Sequence, residues 1–146
     1  MSLEEADEFV VVEVQEKEEA DPGYRIRAVG MCFYRPGKDL VNGRRYKLHR
    51  SPQNPKDEWC IEIKEQQRVR ATLNKDISQL LAPFLDENVT SDPTCLVLQD
   101  AAWSRGDNGR PARAHKVVIR LVVRYNKLTY LRETFKYYEI VIVAEK

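Results

Sequence analysis

The chain is poor in the features that mark membrane, secreted and metal-binding proteins. Nowhere in its 146 residues does an apolar run approach the ~18 residues that a membrane helix needs. The N-terminus carries acids where a secretory signal has basic and then apolar residues. The three cysteines lie far apart among apolar neighbours, so we expect reduced core thiols in an intracellular protein. We expect no membrane association.

Histidine is also scarce, which limits the metal-binding and catalytic sites that the chain can form. Only His49 and His115 can join Cys32, Cys60 and Cys95, and together they give no zinc-ligand spacing. No glycine-rich phosphate loop is present, and the sequence places no Ser or Cys nucleophile beside either histidine. We therefore expect a protein that is not an enzyme and that holds no metal and no cofactor.

A formal net charge of +1 conceals a strong segregation of charge along the chain. Residues 1–20 contain eight acidic residues against one lysine, a net −7, so the other 126 residues carry +8. The basic body indicates either an anionic partner such as nucleic acid, or a solvated surface onto which the acidic segment folds. We predict that residues 1–8 form a disordered acidic leader and residues 9–146 a single domain.

Short runs of β-branched and aromatic residues alternate with turn signals along most of the chain. Asp21-Pro22-Gly23 separates two such runs, at 9–14 and 24–29, and this favours a hairpin between them. The turn pair Asn42-Gly43 precedes the next strand. Further strands are predicted at 44–49, 59–64, 68–71, 94–98, 115–125 and 135–145. The segment 100–114 is predicted to be a long loop, and 126–134 a polar connection.

One segment has helical periodicity. Its apolar residues recur at i, i+3, i+4 and i+7, which lines one stripe against a core: Ile77, Leu80, Leu81 and Phe84. Asn74 is a suitable N-cap, and Pro83 predicts a short helix that ends near Leu85. Many short strands, one or two short helices and no internal repeat predict an all-β fold. We expect a small antiparallel β-barrel of the OB-like or SH3-like type.

Three short patterns occur in order between residues 26 and 86. The first is Val29-Gly30 with Phe33 and Tyr34, and the second is Arg50-Ser-Pro-Gln-Asn-Pro-Lys-Asp57 followed by Ile61-Glu-Ile63. The third is Leu81-Ala-Pro-Phe-Leu-Asp86. Together they resemble the HIRAN domain family, whose patterns are Val-Gly with an aromatic pair, Arg-x-Pro-x-Asn-Pro-x-Asp with Ile-x-Val, and Leu-Ala-Pro-x-Leu-Asp.

The resemblance implies an OB-like barrel that binds nucleic acid and catalyses nothing itself. Family members stand alone or are attached to DNA-translocating ATPases and nucleases, and one captures the 3′ end of single-stranded DNA at replication forks. By resemblance, the partner here is single-stranded DNA or a DNA 3′ end, in replication or repair, in the nucleus, within a larger genome-maintenance protein or complex. RNA stays open, because single-stranded RNA stacks on the same kind of platform.

Carried over to this sequence, the resemblance places the nucleic-acid end among Phe33, Tyr34, Asn54, Lys56 and Asp57. Aromatic rings offer a stacking surface to any base, and cations neutralise phosphates. The Asp57 carboxylate is able to accept a hydrogen bond from a terminal hydroxyl. The candidate site also includes nearby cations and one further ring: Arg44, Arg45, Lys47, Arg50, Trp103 and Arg120.

The chain departs from the family's pattern at four positions, one of which is Trp59 in place of a polar residue. Cys32 stands where the DNA-end binder has an arginine, Phe33 where the family has a tyrosine, and Lys56 where a second aromatic is found. An alternative function is therefore a protein-interaction module that keeps the barrel and has lost DNA-end binding.

Alternatives also remain open for single residues. Asn54 and Asp57 serve either a ligand or the local backbone of a Pro-bounded loop. The basic residues Lys116, Arg120 and Arg124 share one strand face, which is a binding stripe or a solvated outer surface. Trp103 is a better candidate for an exposed ring than Trp59, which shares a face with Ile61 and Ile63, although large aromatics also cover barrel ends.

Overall fold

The computed structural model of the protein describes residues 8–17, 24–30, 39–51, 58–106 and 109–145. In these ranges the strands are β1 (Phe9–Glu16), β2 (Arg27–Gly30), β3 (Arg45–Arg50), β4 (Ile61–Glu65), β5 (Arg68–Leu73), β6 (Thr90–Val97), β7 (Ala102–Arg105), β8 (Pro111–Arg124) and β9 (Tyr138–Glu145). The helices are α1 (Lys75–Asp86) and α2 (Leu128–Thr134), with a 3-10 turn at Tyr125–Lys127 before α2.

Six strands close into an antiparallel barrel in the order β2-β5-β4-β3-β6-β8. Closure depends on the length of β8, whose 14 residues exceed those of every other described strand. Residues 117–123 of β8 pair with β6, and residues 114–116 pair with β2. The predicted OB-like barrel is therefore confirmed. β1 and β9 extend the sheet beyond β8, and β7 pairs with the first residues of β8.

Alternation along β8 shows why these segments form strands. Val117, Ile119, Leu121 and Val123 are at most 1% exposed, because every second side chain points into the barrel. From the opposite wall the core receives Tyr46, Leu48, Ile61 and Ile63. Burial of one such aliphatic side chain contributes roughly 1.5–3 kcal/mol. The core therefore fixes which face of each strand is left for function.

Helix α1 packs as its sequence predicts. Ile77, Leu81 and Phe84 are buried, Leu80 is partly buried, and the helix ends at Asp86. The side chain of Asn74, however, does not cap the helix. Its Oδ1 accepts the Arg27 N–H at 3.0 Å, and its own N–H donates to the Arg27 carbonyl at 3.0 Å. Asn74 therefore ties the start of α1 to β2.

The predicted hairpin between the first two strands is wrong. β1 pairs with β8 and β9, whereas β2 pairs with β5 and β8. A Pro-Gly turn permits the chain to reverse, but the partner of a strand is set by the apolar face that it buries. The residues of β1 that bury this face are Val10, Val12 and Val14, each at most 2% exposed.

Two further segments differ from prediction. The expected loop 100–114 contains β7 and the start of β8, and between them Gly106 N–H donates to the Arg110 carbonyl at 2.8 Å. The expected polar connection 126–134 contains α2. Leu128 and Leu131 are its buried residues, and Phe135, directly after the helix, is also buried. The helix is so short that two buried positions among polar residues give little periodic signal.

Candidate functional site

A basic groove lies on the outer face of β3 and of the β4–β5 hairpin, with a volume of about 630 Å³. We call it the β3 groove. Four cationic side chains line it, and they face one carboxylate: Arg44, Arg45, Lys47 and Lys64 against Glu65. His49, Gln66 and Gln67 also line it. The surplus of cations makes this groove the candidate site for an anionic ligand.

Strand alternation places these cations outside the barrel. Tyr46 and Leu48 are each 5% exposed and point into the core, so Arg45 and Lys47 point outward. The predicted Asn42-Gly43 turn, in which Gly43 adopts a φ of +82°, precedes them. Its two ends are joined because Arg44 N–H donates to the Val41 carbonyl at 3.1 Å. The turn therefore delivers Arg44 to the mouth of the groove.

The groove cations differ in how strongly the protein itself holds them. Arg44 Nη2 lies 2.8 Å from Glu65 Oε2, and Arg45 Nη1 donates to Thr94 Oγ1 at 3.2 Å. Lys64 Nζ is 4.0 Å from Glu62 Oε1. Lys47 is exposed and, within the described part of the chain, forms no ion pair. Lys47 is therefore the groove cation most available to a ligand.

Positive charge continues from the β3 groove across β6 to β8. Burial, and next the charge of Arg120, lowers the pKa of Arg45 from its ordinary value. Arg120 Nη2 lies 3.7 Å from Glu13 Oε2, and Lys116 Nζ lies 2.9 Å from Glu16 Oε2. The β8 cations thus share one face as predicted, and carboxylates of β1 partly compensate Lys116 and Arg120. Arg124 of the same face lies over the Phe9 ring, 5.5 Å from its centre.

Arg50, the last residue of β3, holds the base of the loop between β3 and β4 to helix α1. Its Nε and Nη2 donate to the two carboxylate oxygens of Asp86 at 2.9 and 3.0 Å, and Nη1 donates to the Cys60 carbonyl at 3.0 Å. Ser51 N–H donates to the same carbonyl at 2.9 Å. The hydrogen bond from Arg50 lowers the pKa of Asp86. Arg50, a predicted site residue, therefore has a structural role, because its guanidinium is held by contacts within the protein.

Trp103 lines a second groove, of about 570 Å³, which shares no lining residue with the β3 groove. Its side chain is 71% exposed, whereas Trp59 is half-buried against the core, as predicted. The Arg113 guanidinium lies 5.9 Å from the centre of the Trp103 ring and is held by Asp39 at 2.7 Å. The predicted ring is therefore exposed, but it lies apart from Arg44, Arg45 and Lys47.

The remaining predicted site residues, Phe33, Tyr34, Asn54, Lys56 and Asp57, lie outside the described residues. The last three belong to the loop that joins β3 to β4, so the groove lies on the strands that lead into this loop. Sequence reasoning missed Lys64. Alternation with the buried Ile61 and Ile63 was the signal that places Lys64 outside the barrel.

His115 is buried, and both of its ring nitrogens have partners. Nε2 accepts the Leu40 N–H at 3.1 Å, which fixes the proton on Nδ1, and Nδ1 donates to the Gln99 carbonyl at 3.1 Å. The ring thereby ties β8 to the segments before β3 and after β6.

Cys60 and Cys95 are buried and form no disulfide with each other, and burial raises the pKa of Cys95 to about 12. Among the described residues, no three His, Cys, Asp or Glu side chains come together as metal ligands. None of the helices described is long and apolar enough to cross a membrane.

Comparison with known proteins identifies the fold. No family model matches the chain, and no curated protein matches it. The crystal structure of the HIRAN domain of human HLTF matches 88% of this chain and 91% of its own, with a TM-score of 0.59. The fold is HIRAN-like. Sequence identity with that HIRAN domain is 16%, so the likeness extends to the architecture and not to individual side chains.

Proposed function

We propose that this protein is a non-catalytic nucleic-acid-binding module. It binds single-stranded DNA or a DNA end in replication or repair, in the nucleus, as part of a larger genome-maintenance protein or complex. The β3 groove is the observation that supports this proposal, because four cations face one carboxylate there on a HIRAN-like barrel. Phosphates supply the complementary charge, and their binding releases the counterions of the strand.

The position of the groove supports a strand that reaches the loop between β3 and β4. Arg45 and Lys47 lie on β3 before the loop, and the Arg50–Asp86 pair fixes the loop base. A strand that binds along β3 with its phosphates on these cations brings its end to the loop. In this proposal Lys56, Asn54 and Asp57 meet the end, and Phe33 or Tyr34 stacks on its last base.

Charge reversal at Lys47 tests the proposal. We expect Lys47→Glu to weaken binding of a fluorescein-labelled single-stranded oligonucleotide about tenfold at low salt, because one phosphate contact becomes a repulsion. Arg132→Glu, an equal change of charge at an exposed position on α2, serves as the control and should leave affinity within about twofold. Equal affinities for both variants and the wild type, measured by anisotropy, would contradict a role for the groove.

A chemical change at the strand end tests the finer proposal. An oligonucleotide with a 3′-hydroxyl should bind more tightly than the same strand with a 3′-phosphate, because Asp57 would repel the added charge. Asp57→Asn should reduce this difference. Equal affinity for the two ends would restrict the function to binding along the strand. RNA oligonucleotides with the same two 3′ ends, measured in parallel, compare binding of RNA with binding of DNA.

A protein partner is the second candidate, and the edge of the sheet favours it. β9 pairs with β1 and ends the strand order, and Ile142 and Val143 are 43% and 38% exposed on it. Exposed apolar strands at a sheet edge take up further strands. In affinity capture, a protein partner that still binds the Lys47→Glu variant but no longer binds Ile142→Lys supports this candidate. A partner whose binding is lost only in Lys47→Glu would instead bind at the β3 groove.

A further inference from the structure

The groove that contains Trp103 combines an exposed aromatic ring with clustered cations. Its charged lining consists of four cations and one carboxylate: Lys17, Arg25, Arg27, Lys116 and Glu16. We call it the Trp103 groove. Its lining comes from the end of β1, β2, β7, β8 and their flanking residues, so it lies on a different part of the barrel from the β3 groove.

Internal ion pairs leave most of this charge uncompensated. Glu16 is shared between Lys116, at 2.9 Å, and Arg25, at 3.9 Å, so one carboxylate serves two cations. Arg27 Nη1 donates to Ser104 Oγ at 2.7 Å, and Lys17 donates to the Lys136 carbonyl at 2.5 Å. These last two contacts orient the cations without neutralising them. Like charges held together in this way repel one another and attract a polyanion.

The Trp103 ring is a stacking surface that the fold does not use for its core. At 71% exposure it has the largest exposed fraction among the exposed large hydrophobic side chains of the described residues. Arg113 packs against it and is itself fixed by Asp39, so the ring has a support on one side. A supported aromatic beside cations is the arrangement that binds single-stranded nucleic acid without reading its sequence.

Two cations of β8 lie between the grooves on its outer face, each beside a carboxylate of β1: Arg120 beside Glu13 and Lys116 beside Glu16. Arg45 of the β3 groove donates to Thr94 Oγ1 at 3.2 Å, and Thr94 of β6 pairs with Arg120 of β8. Lys116 of the Trp103 groove lies on the same face of β8 as Arg120. The two β8 cations are four residues apart, or roughly 13 Å along a strand. Sites of OB-type barrels extend over about 4–16 nucleotides, so one strand can cover such a path.

From this arrangement we infer that the Trp103 groove is a second contact site for the same single strand, beyond the β3 groove. Trp103 stacks on a base, and Arg25, Lys17 and Lys116 contact the flanking phosphates. The inference rests on the proposed function, since it requires that a strand binds at the β3 groove. It also gives the bound strand a direction, from the loop over Arg120 to Trp103. A strand held by its end at the loop reaches Trp103 only when it is long enough.

Strand length separates the two sites experimentally. The probes are fluorescein-labelled oligothymidylates of 5 and 15 nucleotides, titrated with the full chain. We expect Trp103→Ala to weaken binding of the 15-mer about tenfold and to leave the 5-mer unchanged, in keeping with the effect of one lost stacking contact. Trp103→Phe should restore most of the affinity, because a phenyl ring still stacks. Equal thermal midpoints of these variants establish that the fold is intact.

Charge reversal at Arg25 tests the Trp103 groove independently of the ring, and it has a matched control. The Arg25 side chain is 59% exposed, so its reversal should weaken the 15-mer selectively, whereas Arg132→Glu should not. If Trp103→Ala and Arg25→Glu bind the 15-mer as tightly as the wild type does, while Lys47→Glu binds it more weakly, the second site is overturned and the proposed function stands. Absence of binding to both oligonucleotides by the wild-type chain would overturn the proposed function itself.

Discussion

At the scale of the residue, Arg50 and Asp86 show that a sequence pattern can include two interacting residues without indicating that they interact. The two residues belong to separate segments, 36 positions apart, each of which resembles a family pattern. The structure joins them through two hydrogen bonds in parallel, and a third from Arg50 reaches the Cys60 carbonyl. The sequence identified both residues, but only the barrel and α1 together bring them into contact. Retention of this pair therefore preserves the loop base.

Loss of the Asp86 charge should destabilise the fold by about 1 kcal/mol at neutral pH, because Arg50 loses its carboxylate partner. The pKa of Asp86 is lowered in the folded state, so this stabilisation is present at neutral pH and disappears as the pH falls below 3.8, the ordinary value of the carboxyl. Denaturant unfolding of Asp86→Asn and wild type should show a difference that closes under acid conditions.

Glu87→Gln is the control for this prediction, because it removes the neighbouring exposed carboxylate next to the end of α1. It should change the free energy of unfolding by a few tenths of a kcal/mol at most. A gap between Asp86→Asn and wild type that stays constant with pH would show that the ion pair does not stabilise the loop base.

At the scale of the element, strands were predictable where alternation is strong, and pairing was not. Alternate buried residues located β1 and β3, whereas β4 and β8 were located by apolar residues that include consecutive buried positions. The long β8 contacts four strands, and no local signal indicates such a role. β6 contains Pro93 at a register shift, so sequence reasoning began this strand too late.

The β4–β5 turn was also without a sequence signal. Glu65 pairs with Arg68, so Gln66 and Gln67 form a two-residue turn with φ values of 52° and 66°. Such turns prefer Asn-Gly, because a side chain is strained at positive φ. Both glutamines line the β3 groove, so this strained turn borders the candidate site.

Replacement of the second turn glutamine by glycine should stabilise the protein. We expect Gln67→Gly to raise the free energy of unfolding by about 1 kcal/mol, since glycine adopts positive φ without a clash. The same replacement at Gln79, exposed in α1, should lower it by about 1 kcal/mol. Urea unfolding of the two variants measures this contrast, and equal signs at both positions would contradict the assigned turn geometry.

At the scale of the whole molecule, the segregation of charge anticipated a basic surface, and the fold decided its distribution. Arg44, Arg45 and Lys47 share a groove because strand alternation and the turn at Gly43 bring them together. Trp103 belongs to a second groove, since β7 pairs with the start of β8, far in sequence from β3. Grouping by sequence proximity and basic character could not separate these two sites.

The salt dependence of single-strand binding tests the central claim most directly. For a strand that places three or four phosphates on the β3 groove and its surroundings, the slope of log K against log salt concentration should be about −2 to −3. Lys47→Glu should make the slope shallower by roughly 0.7, the contribution of one contact to a single strand. A steep slope reduced by Lys47→Glu supports the nucleic-acid function, whereas salt-insensitive binding, or none, contradicts it.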